Sequence, residues 1–344
     1  MLFRTEMSFC SASTSNSTSI TKAKQPFFIL QSLFLVLLLS ISFVFCSFAE
    51  TSEPVIAEFG TVSTPVTDSS SLFGAGRLTL YDNHESKAQS LSAIIETGEG
   101  GLIVVDGGWM YNDKFLLNQI KEKGGHVQAW LLTHPDSDHV GALASILEHY
   151  SQEITIDGVY CSLLDDYWYT QFCDDGCRRT VYALRGGLSH LPQEVVHDDI
   201  VAGQVIEAGP AKIQVLNSAY ALENNTSNNS SVTYLVSLNG TNVVFLGDLS
   251  SDGGKRLMKE VDLSSLNCDI VQVAHHGQAG VEYEVYEALH PKIALFPTPK
   301  WLWNNDSGSG AGNGGWGTAE TRNWMKKLGV NKIYCIKNGD QVIE

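Results

Sequence analysis

Residues 133–139 read THPDSDH. The stretch supplies His134, Asp136, Asp138 and His139, whose imidazole nitrogens and carboxylate oxygens suit Zn²⁺, Mn²⁺ or Fe²⁺. Such a density of ligand-type side chains stands out in a chain that is only 17% charged. Taken alone, the stretch also fits a solvated acidic turn before a helix, with Asp136 or Asp138 as the N-cap. Three further segments favour a metal site. VVDGG carries Asp106, FLGD carries Asp248, and AHHG carries His275 and His276. Each follows an apolar run rich in Val, Ile, Leu or Ala, so each ligand-type residue emerges where a buried strand stops. Functional groups collect on loops at such an edge. A set this rich in carboxylates disfavours ions that prefer thiolates.

Alternating runs of strand and helix pattern must position these residues. RLTLYD, LSAIIET, GLIVVD and HVQAWLLT read as strands, as do KIQVLNS, SVTYLVSLN, TNVVFLGD, DIVQVAHHG and KIALFP. NDKFLLNQIKEKG, HVGALASILEHY, GGKRLMKEV, VEYEVYEALH and TAETRNWMKKLG read as helices. Asn239-Gly240 marks a hairpin, and KIYCIKNGDQVIE reads as a second hairpin at the end of the chain. Residues 153–200 show short strands, irregular stretches and a small loop between Cys173 and Cys177 that a disulfide would close. The order predicts one domain of two sheets with helices outside. A doubly wound nucleotide fold would need a Gly-rich turn after an early strand. The Gly-rich stretch at 307–317 follows no strand directly and reads as a flexible loop.

The N-terminus carries a separate signal. Residues 27–45, FFILQSLFLVLLLSISFVF, are almost wholly apolar and follow Arg4, Lys22 and Lys24. A small-residue cleavage site follows at Ala49. Residues 1–49 therefore read as a secretory signal peptide or, because the run is long enough to span a bilayer, an uncleaved membrane anchor. Either reading places the remainder outside the cytoplasm. Residues 50–74 are rich in Ser, Thr and Pro and read as a linker, and 75–344 as the globular domain. The formal net charge of −16 makes the chain a poor generic binder of nucleic acid, whose affinity for proteins comes mostly from cations meeting phosphates. No protein partner is expected.

Several residues are expected to have structural roles. Cys268 and Cys335 lie in strand-like runs and read as buried inert thiols. His190 and His197 flank a Pro in SHLPQEVVH and read as surface or loop residues. The sequons at Asn224, Asn225, Asn228, Asn229, Asn239 and Asn305 fit surface loops. Trp301, Trp303 and Trp316 read as a lid or as packing beneath the long loop.

In their order along the chain, DGG at 106–108, THPDSDHVGAL at 133–143, GD at 247–248 and HHG at 275–277 resemble the signature segments of the metallo-β-lactamase superfamily. More narrowly, HPDSDHVGAL, FLGDL, VAHHG and KIYCIKNGDQVIE are similar to the metallo-β-lactamase-like domain of competence DNA-uptake channel (ComEC) proteins, a branch that also has Asp at the second ligand position. The resemblance covers about residues 75–344. It implies an α+β, four-layer αβ/βα sandwich with two divalent metal ions, Zn or Mn, at its edge, and hydrolysis by a hydroxide held between them. It further implies His134 and Asp136 on one ion, Asp138, His139 and His275 on the other, and Asp248 between them. Asp138 and His276 take catalytic roles, with His276 replacing His275 as a ligand or donating a proton or hydrogen bond to substrate. Asp106 stands behind a ligand histidine. The favoured substrate is a phosphodiester or nucleic acid. Alternatives are a small-molecule lactam, lactone or thioester, or a metal-binding domain with weakened turnover. Two departures accompany the resemblance. No histidine follows KIQVLNS, where the position reads Asn217 or Ser218, and WLWNNDSGSGAGNGGWG replaces a polar loop. Asp136, a carboxylate where imidazole is usual, favours harder ions such as Mn²⁺.

Overall fold

The computed structural model describes residues 71–344. The expected leader and nearly all of the expected linker lie outside the described residues. Among the described residues, no helix is long and apolar enough to cross a membrane.

Two sheets form the centre. The first contains β1 (Arg77–Leu80), β2 (Ser92–Glu96), β3 (Leu102–Asp106), β4 (His126–Leu131), β5 (Thr155–Ile156), β6 (Val159–Tyr160), β7 (Val196–His197) and the last strand, Gln341–Ile343. The second contains β8 (Val205–Ala208), β9 (Ala211–Val215), β10 (Tyr234–Leu238), β11 (Thr241–Phe245), β12 (Ile270–Gln272), β13 (Ile293–Phe296) and β14 (Lys332–Cys335), so the last strand is β15. The first sheet runs β15-β1-β2-β3-β4-β6-β7, with β5 also on β4, and the second runs β14-β13-β12-β11-β10-β9-β8. Hairpin-like pairing builds one half of each sheet. The other half is parallel: β3 with β4, and β11, β12 and β13 side by side. Parallel strands end on the same side, so the residues after β3 and β4 emerge at matching ends, as do those after β11, β12 and β13.

Strand alternation sorts the layers. Ile103, Val105, Ala129 and Leu131 of the first sheet pack against Ile213, Val236, Val243, Phe245 and Leu295 of the second. Their neighbours Leu102, Val104 and Trp130 face outward onto helices α1 (Asp113–Glu122) and α2 (Ser137–His149). On the far side, Val244, Val271 and Ala294 meet Leu257, Val285 and Met325. Those three belong to α6 (Ser251–Glu260), α7 (Tyr283–Leu289) and α9 (Thr318–Lys327), numbered after α3 (Asp166–Phe172), α4 (Asp175–Leu188) and α5 (Thr226–Asn229), with α8 at Lys300–Trp303. The result is a four-layer αβ/βα sandwich, the expected fold class. All five residues of β3 are buried, as a strand covered on both faces requires.

The structure corrects three expectations. Residues 153–200 hold two helices, α3 and α4. Gly176, Gly186 and Gly187 obscure α4 because glycine disfavours helix interiors. Its apolar stripe of Val181, Leu184 and Leu188 nevertheless packs inward, and a Cβ on Gly187 would sit 3.0 Å from Leu147 Cβ and 3.1 Å from the Ala144 carbonyl. That glycine permits close approach of α4 to α2. The closing hairpin is absent: β14 pairs with β13 and β15 pairs with β1 in the other sheet. A turn signal at Asn338-Gly339 reports a reversal but not a partner, and buried Ile336 crosses between the sheets. The Asn239-Gly240 hairpin does form, with positive φ at both residues. Finally, Asn228 and Asn229 are buried, so the polar run NNTSNNSS is not wholly a surface loop.

Candidate metal centre

Asp106 is the last residue of β3, and its backbone adopts φ +54°, a left-handed conformation unusual outside glycine. The Trp130 indole nitrogen donates to its carbonyl at 2.7 Å and fixes that turn. The carboxylate therefore folds back onto the end of β4. Its Oδ1 accepts from Thr133 N at 2.8 Å, and its Oδ2 accepts from Thr133 Oγ1 and from His139 Nδ1, both at 2.7 Å. Thr133 spends its one hydroxyl proton on Asp106, so the 3.1 Å contact with His134 is a donation from His134 Nδ1. One buried carboxylate thus sets both tautomers, leaving the Nε2 lone pairs of His134 and His139 free.

Those lone pairs meet the residues after β11 and β12. His134, His139 and Asp248 form one group of mutually close ligand atoms, and Asp138, His139 and His276 form a second. His139 belongs to both. Asp248 Oδ2 lies 3.3 Å from His139 Nε2 and 3.2 Å from His276 Nε2, and Asp138 Oδ2 lies 3.2 Å from His276 Nε2. His276 Nδ1 donates to the Pro297 carbonyl at 2.9 Å, so its Nε2 also faces the cluster as a lone pair.

Of the two histidines, His275 expected as the ligand and His276 as its possible replacement, His276 is the one in a group of close ligand atoms. His276 is buried within the ligand group. His275, expected as the ligand, stands at the rim with its Nε2 3.9 Å from Asp248 and accepting from Asn228 Nδ2 at 3.2 Å. Both residues have positive φ, 52° and 54°, so strand alternation does not determine which ring points inward. Asp136 also lies at the edge, its Oδ2 3.4 Å from His134 Nε2. It occupies the N-cap position of α2 without capping it. Its Oδ1 instead accepts a hydrogen bond from Ser227 Oγ. The acidic-turn reading of the motif therefore fails on this carboxylate.

Sequence reasoning missed the supports. Gln272, wholly buried in an otherwise apolar strand, accepts from Leu246 N and Gly247 N and donates to the Gly247 and Val273 carbonyls. It holds the loop that presents Asp248. Ser231 Oγ accepts from Asp248 N at 3.0 Å, and a Cβ on Gly247 would lie 2.8 Å from both Ser231 Oγ and Thr133 Cβ. Only glycine lets the two loops approach this closely. Gln272→Leu is expected to destabilise the fold by about 3 kcal/mol or more, because buried backbone groups lose their partners. Urea denaturation would show it as a lower midpoint at unchanged slope. Asn217 stands near the position of the absent histidine, but its amide is consumed by the Ser218 and Ser231 carbonyls and by Thr233 N.

The cluster fits a divalent ion by its own chemistry. His134 Nε2 and Asp248 Oδ1 are buried without a hydrogen-bond partner. Two imidazole nitrogens, His139 Nε2 and His276 Nε2, face each other at 3.3 Å. Protons partly compensate when metal is absent. Burial opposes charge on His139, but Asp248 and Asp106 outweigh it and raise its pKa well above the imidazole range. Burial likewise opposes charge on His276, yet Asp248 and Asp138 lift its pKa to about 9. Burial works against ionised Asp248, and His139 and His276 overcome this and hold it well below the carboxylate range. An incoming ion must displace these protons. Divalent-ion affinity should therefore rise with pH up to about 9, by roughly tenfold per unit for each proton released. Calorimetric titrations in buffers of different ionisation enthalpy would count the protons.

Residues 87–169 match the family model described as the metallo-beta-lactamase superfamily. That span contains Asp106 and the whole of THPDSDH. The matched segment is similar to a metallo-β-lactamase domain. Over 191 residues, 55% of this chain, it is 25% identical to ComE operon protein 3 of Bacillus subtilis (strain 168). The match covers 22% of that protein, so this chain spans only a small part of its relative's length. The metallo-beta-lactamase fold protein YhfI from Bacillus subtilis matches with TM-score 0.48 and 14% identity, over 78% of this chain and 99% of that one. MEM-A1, a subclass B3 metallo-beta-lactamase isolated from a soil metagenome library, matches with TM-score 0.40 and 16% identity, over 60% and 79%. The metallo-β-lactamase fold implies divalent metal binding, and this chain has candidate His and Asp ligands for it.

Proposed function

We propose that this chain is an exported, metal-dependent hydrolase acting on phosphodiester bonds, with nucleic acid as its substrate class. The observation that carries the reading is the pair of overlapping ligand groups that share His139, with Asp248 lying between His139 and His276. Two divalent ions held by such a pair would lower the pKa of a water between them and neutralise charge on the attacked group. His134, His139, Asp138, His276 and Asp248 would hold them, and Asp136 would join on the His134 side. Asp106 and Thr133 keep the histidines in the ligating tautomer. His275 and Asp136 stand at the open side, with 23% and 27% of their side chains exposed, and meet substrate first. His275, oriented by Asn228, takes the substrate-facing hydrogen-bonding role that His276 is too buried to fill. Because Asn217 offers no ligand, the His134 side holds its ion less tightly.

The similarity to ComE operon protein 3 and the Asp at position 136 support the nucleic-acid class over lactam, lactone or thioester cleavage. In this reading residues 1–49 export or anchor the chain, 27–45 being the membrane segment, and 50–74 tether the domain 75–344. Purified full chain, supplied with Mn²⁺ or Zn²⁺, is expected to cleave a chromogenic phosphodiester. Asp138→Ala should abolish this with an unchanged circular dichroism spectrum. Turnover of a lactam or lactone alone would transfer the assignment to that chemistry, and metal uptake without any turnover would make this a binding domain. Asp136→His should shift preference from Mn²⁺ towards Zn²⁺, and an unchanged ratio of affinities would remove Asp136 from the ligand set.

A further inference from the structure

Cys173 and Cys177 lie outside the ligand cluster but connect to it. Cys173 closes α3, and Cys177 lies in the first turn of α4, where its backbone N–H donates to Asp174 Oδ1 at 2.9 Å. Both half-buried side chains pack against the cluster of Leu164, Tyr169 and Val181. Cys177 Sγ donates to Ser227 Oγ at 3.3 Å, and Ser227 Oγ donates in turn to Asp136 Oδ1. A relay of two hydrogen bonds thus runs from a thiol pair to a carboxylate of the site. The other cysteines of the domain differ. Cys161, Cys268 and Cys335 are buried, and burial pushes each thiol up to about 12, which makes it a poor nucleophile. The neighbouring Cys177 instead lowers the pKa of Cys173, while Cys173, burial and Asp136 raise that of Cys177.

We infer that Cys173 and Cys177 form a dithiol–disulfide couple whose oxidation loosens the hold of Asp136 on a divalent ion. The inference rests on the reading of Asp136 as a ligand. The oxidant is a small-molecule disulfide such as oxidised glutathione. The Cys173 thiolate attacks one of its sulfurs, the oxidant's S–S bond breaks, and one thiol leaves after taking up a proton. Cys177, giving up its proton as it attacks, then displaces the second thiol from the mixed disulfide. The protein gives up two electrons and two protons, and the oxidant becomes two thiols. A disulfide needs Cα atoms within about 7 Å, which the five-residue turn Cys-Asp-Asp-Gly-Cys allows. Once oxidised, the Cys177 sulfur has no hydrogen for Ser227, and bond formation draws it towards Cys173. Ser227 loses its donor, and the donation to Asp136 weakens with it.

The test uses the full chain with Cys10 and Cys46 changed to Ser. Native protein is equilibrated with reduced or oxidised glutathione, alkylated with iodoacetamide and mapped by mass spectrometry. The expected result is loss of label at Cys173 and Cys177 together on oxidation. Zinc affinity, measured by competition with a chromophoric chelator, should be weaker in the oxidised chain by on the order of tenfold, the usual effect of disturbing a residue that orients a ligand. The difference should vanish in C173S/C177S and in Ser227→Ala. Continued alkylation of both thiols in oxidised glutathione would overturn the inference. So would a disulfide that leaves zinc affinity equal or tighter. Neither readout uses substrate, so a chain that hydrolyses nothing leaves the inference standing.

Discussion

Asp248→Asn is expected to reduce divalent-metal affinity by more than the 10- to 100-fold that loss of an orienting partner costs. The carboxylate is buried and lies 3.2–3.3 Å from both His276 and His139, with its second oxygen unpartnered. An amide in its place brings a neutral group with two N–H donors towards imidazole nitrogens that need to stay free. It also removes the strongest of the charges that raise the pKa of each histidine. The variant should therefore bind metal poorly and release fewer protons when it does. Chelator competition measures the affinity and calorimetry counts the protons. Wild-type affinity in this variant would mean that Asp248 is not a ligand.

Asp106→Asn acts one layer further back and is expected to cost 10- to 100-fold in metal affinity. Asp106 accepts three hydrogen bonds, from Thr133 N, Thr133 Oγ1 and His139 Nδ1. Asparagine keeps one acceptor oxygen and turns an NH₂ group towards two existing donors. The cheapest relief is for His139 to move its proton to Nε2, where a ligand lone pair is required. Nitrogen-15 NMR of the imidazoles, at a pH high enough to make His139 neutral, should show it changing tautomer in the metal-free protein. Lost affinity with an unchanged tautomer would point to general loosening of the site rather than to this mechanism.

Much of this was legible in the sequence because polar residues ended apolar strands. Asp106, the THPDSDH turn, Asp248 and the His275–His276 pair each follow a buried run, and parallel pairing of β3 with β4 and of β11 with β12 brings those ends together. The supports were hidden for separate reasons. Gln272 is one polar letter inside an apolar strand, and its value appears only when the neighbouring loop is present. Ser227 and Asn228 belong to a run of polar residues that looks solvated, and they are buried because Asp136 and His275 are their partners. Strand periodicity cannot choose between His275 and His276, since both have left the strand conformation. The last strand went to the other sheet because β1 and β13 each had a free edge, and a turn motif does not specify which edge is filled.

The most direct test is the metal content of the full chain and of His139→Ala, measured by plasma mass spectrometry after loading with Mn²⁺ or Zn²⁺ and gel filtration. His139 is the residue shared by both ligand groups. The expected result is about two ions per wild-type chain, with both sites depleted in the variant. Fewer than about one ion per wild-type chain, or a His139→Ala protein that keeps its full complement, would contradict it.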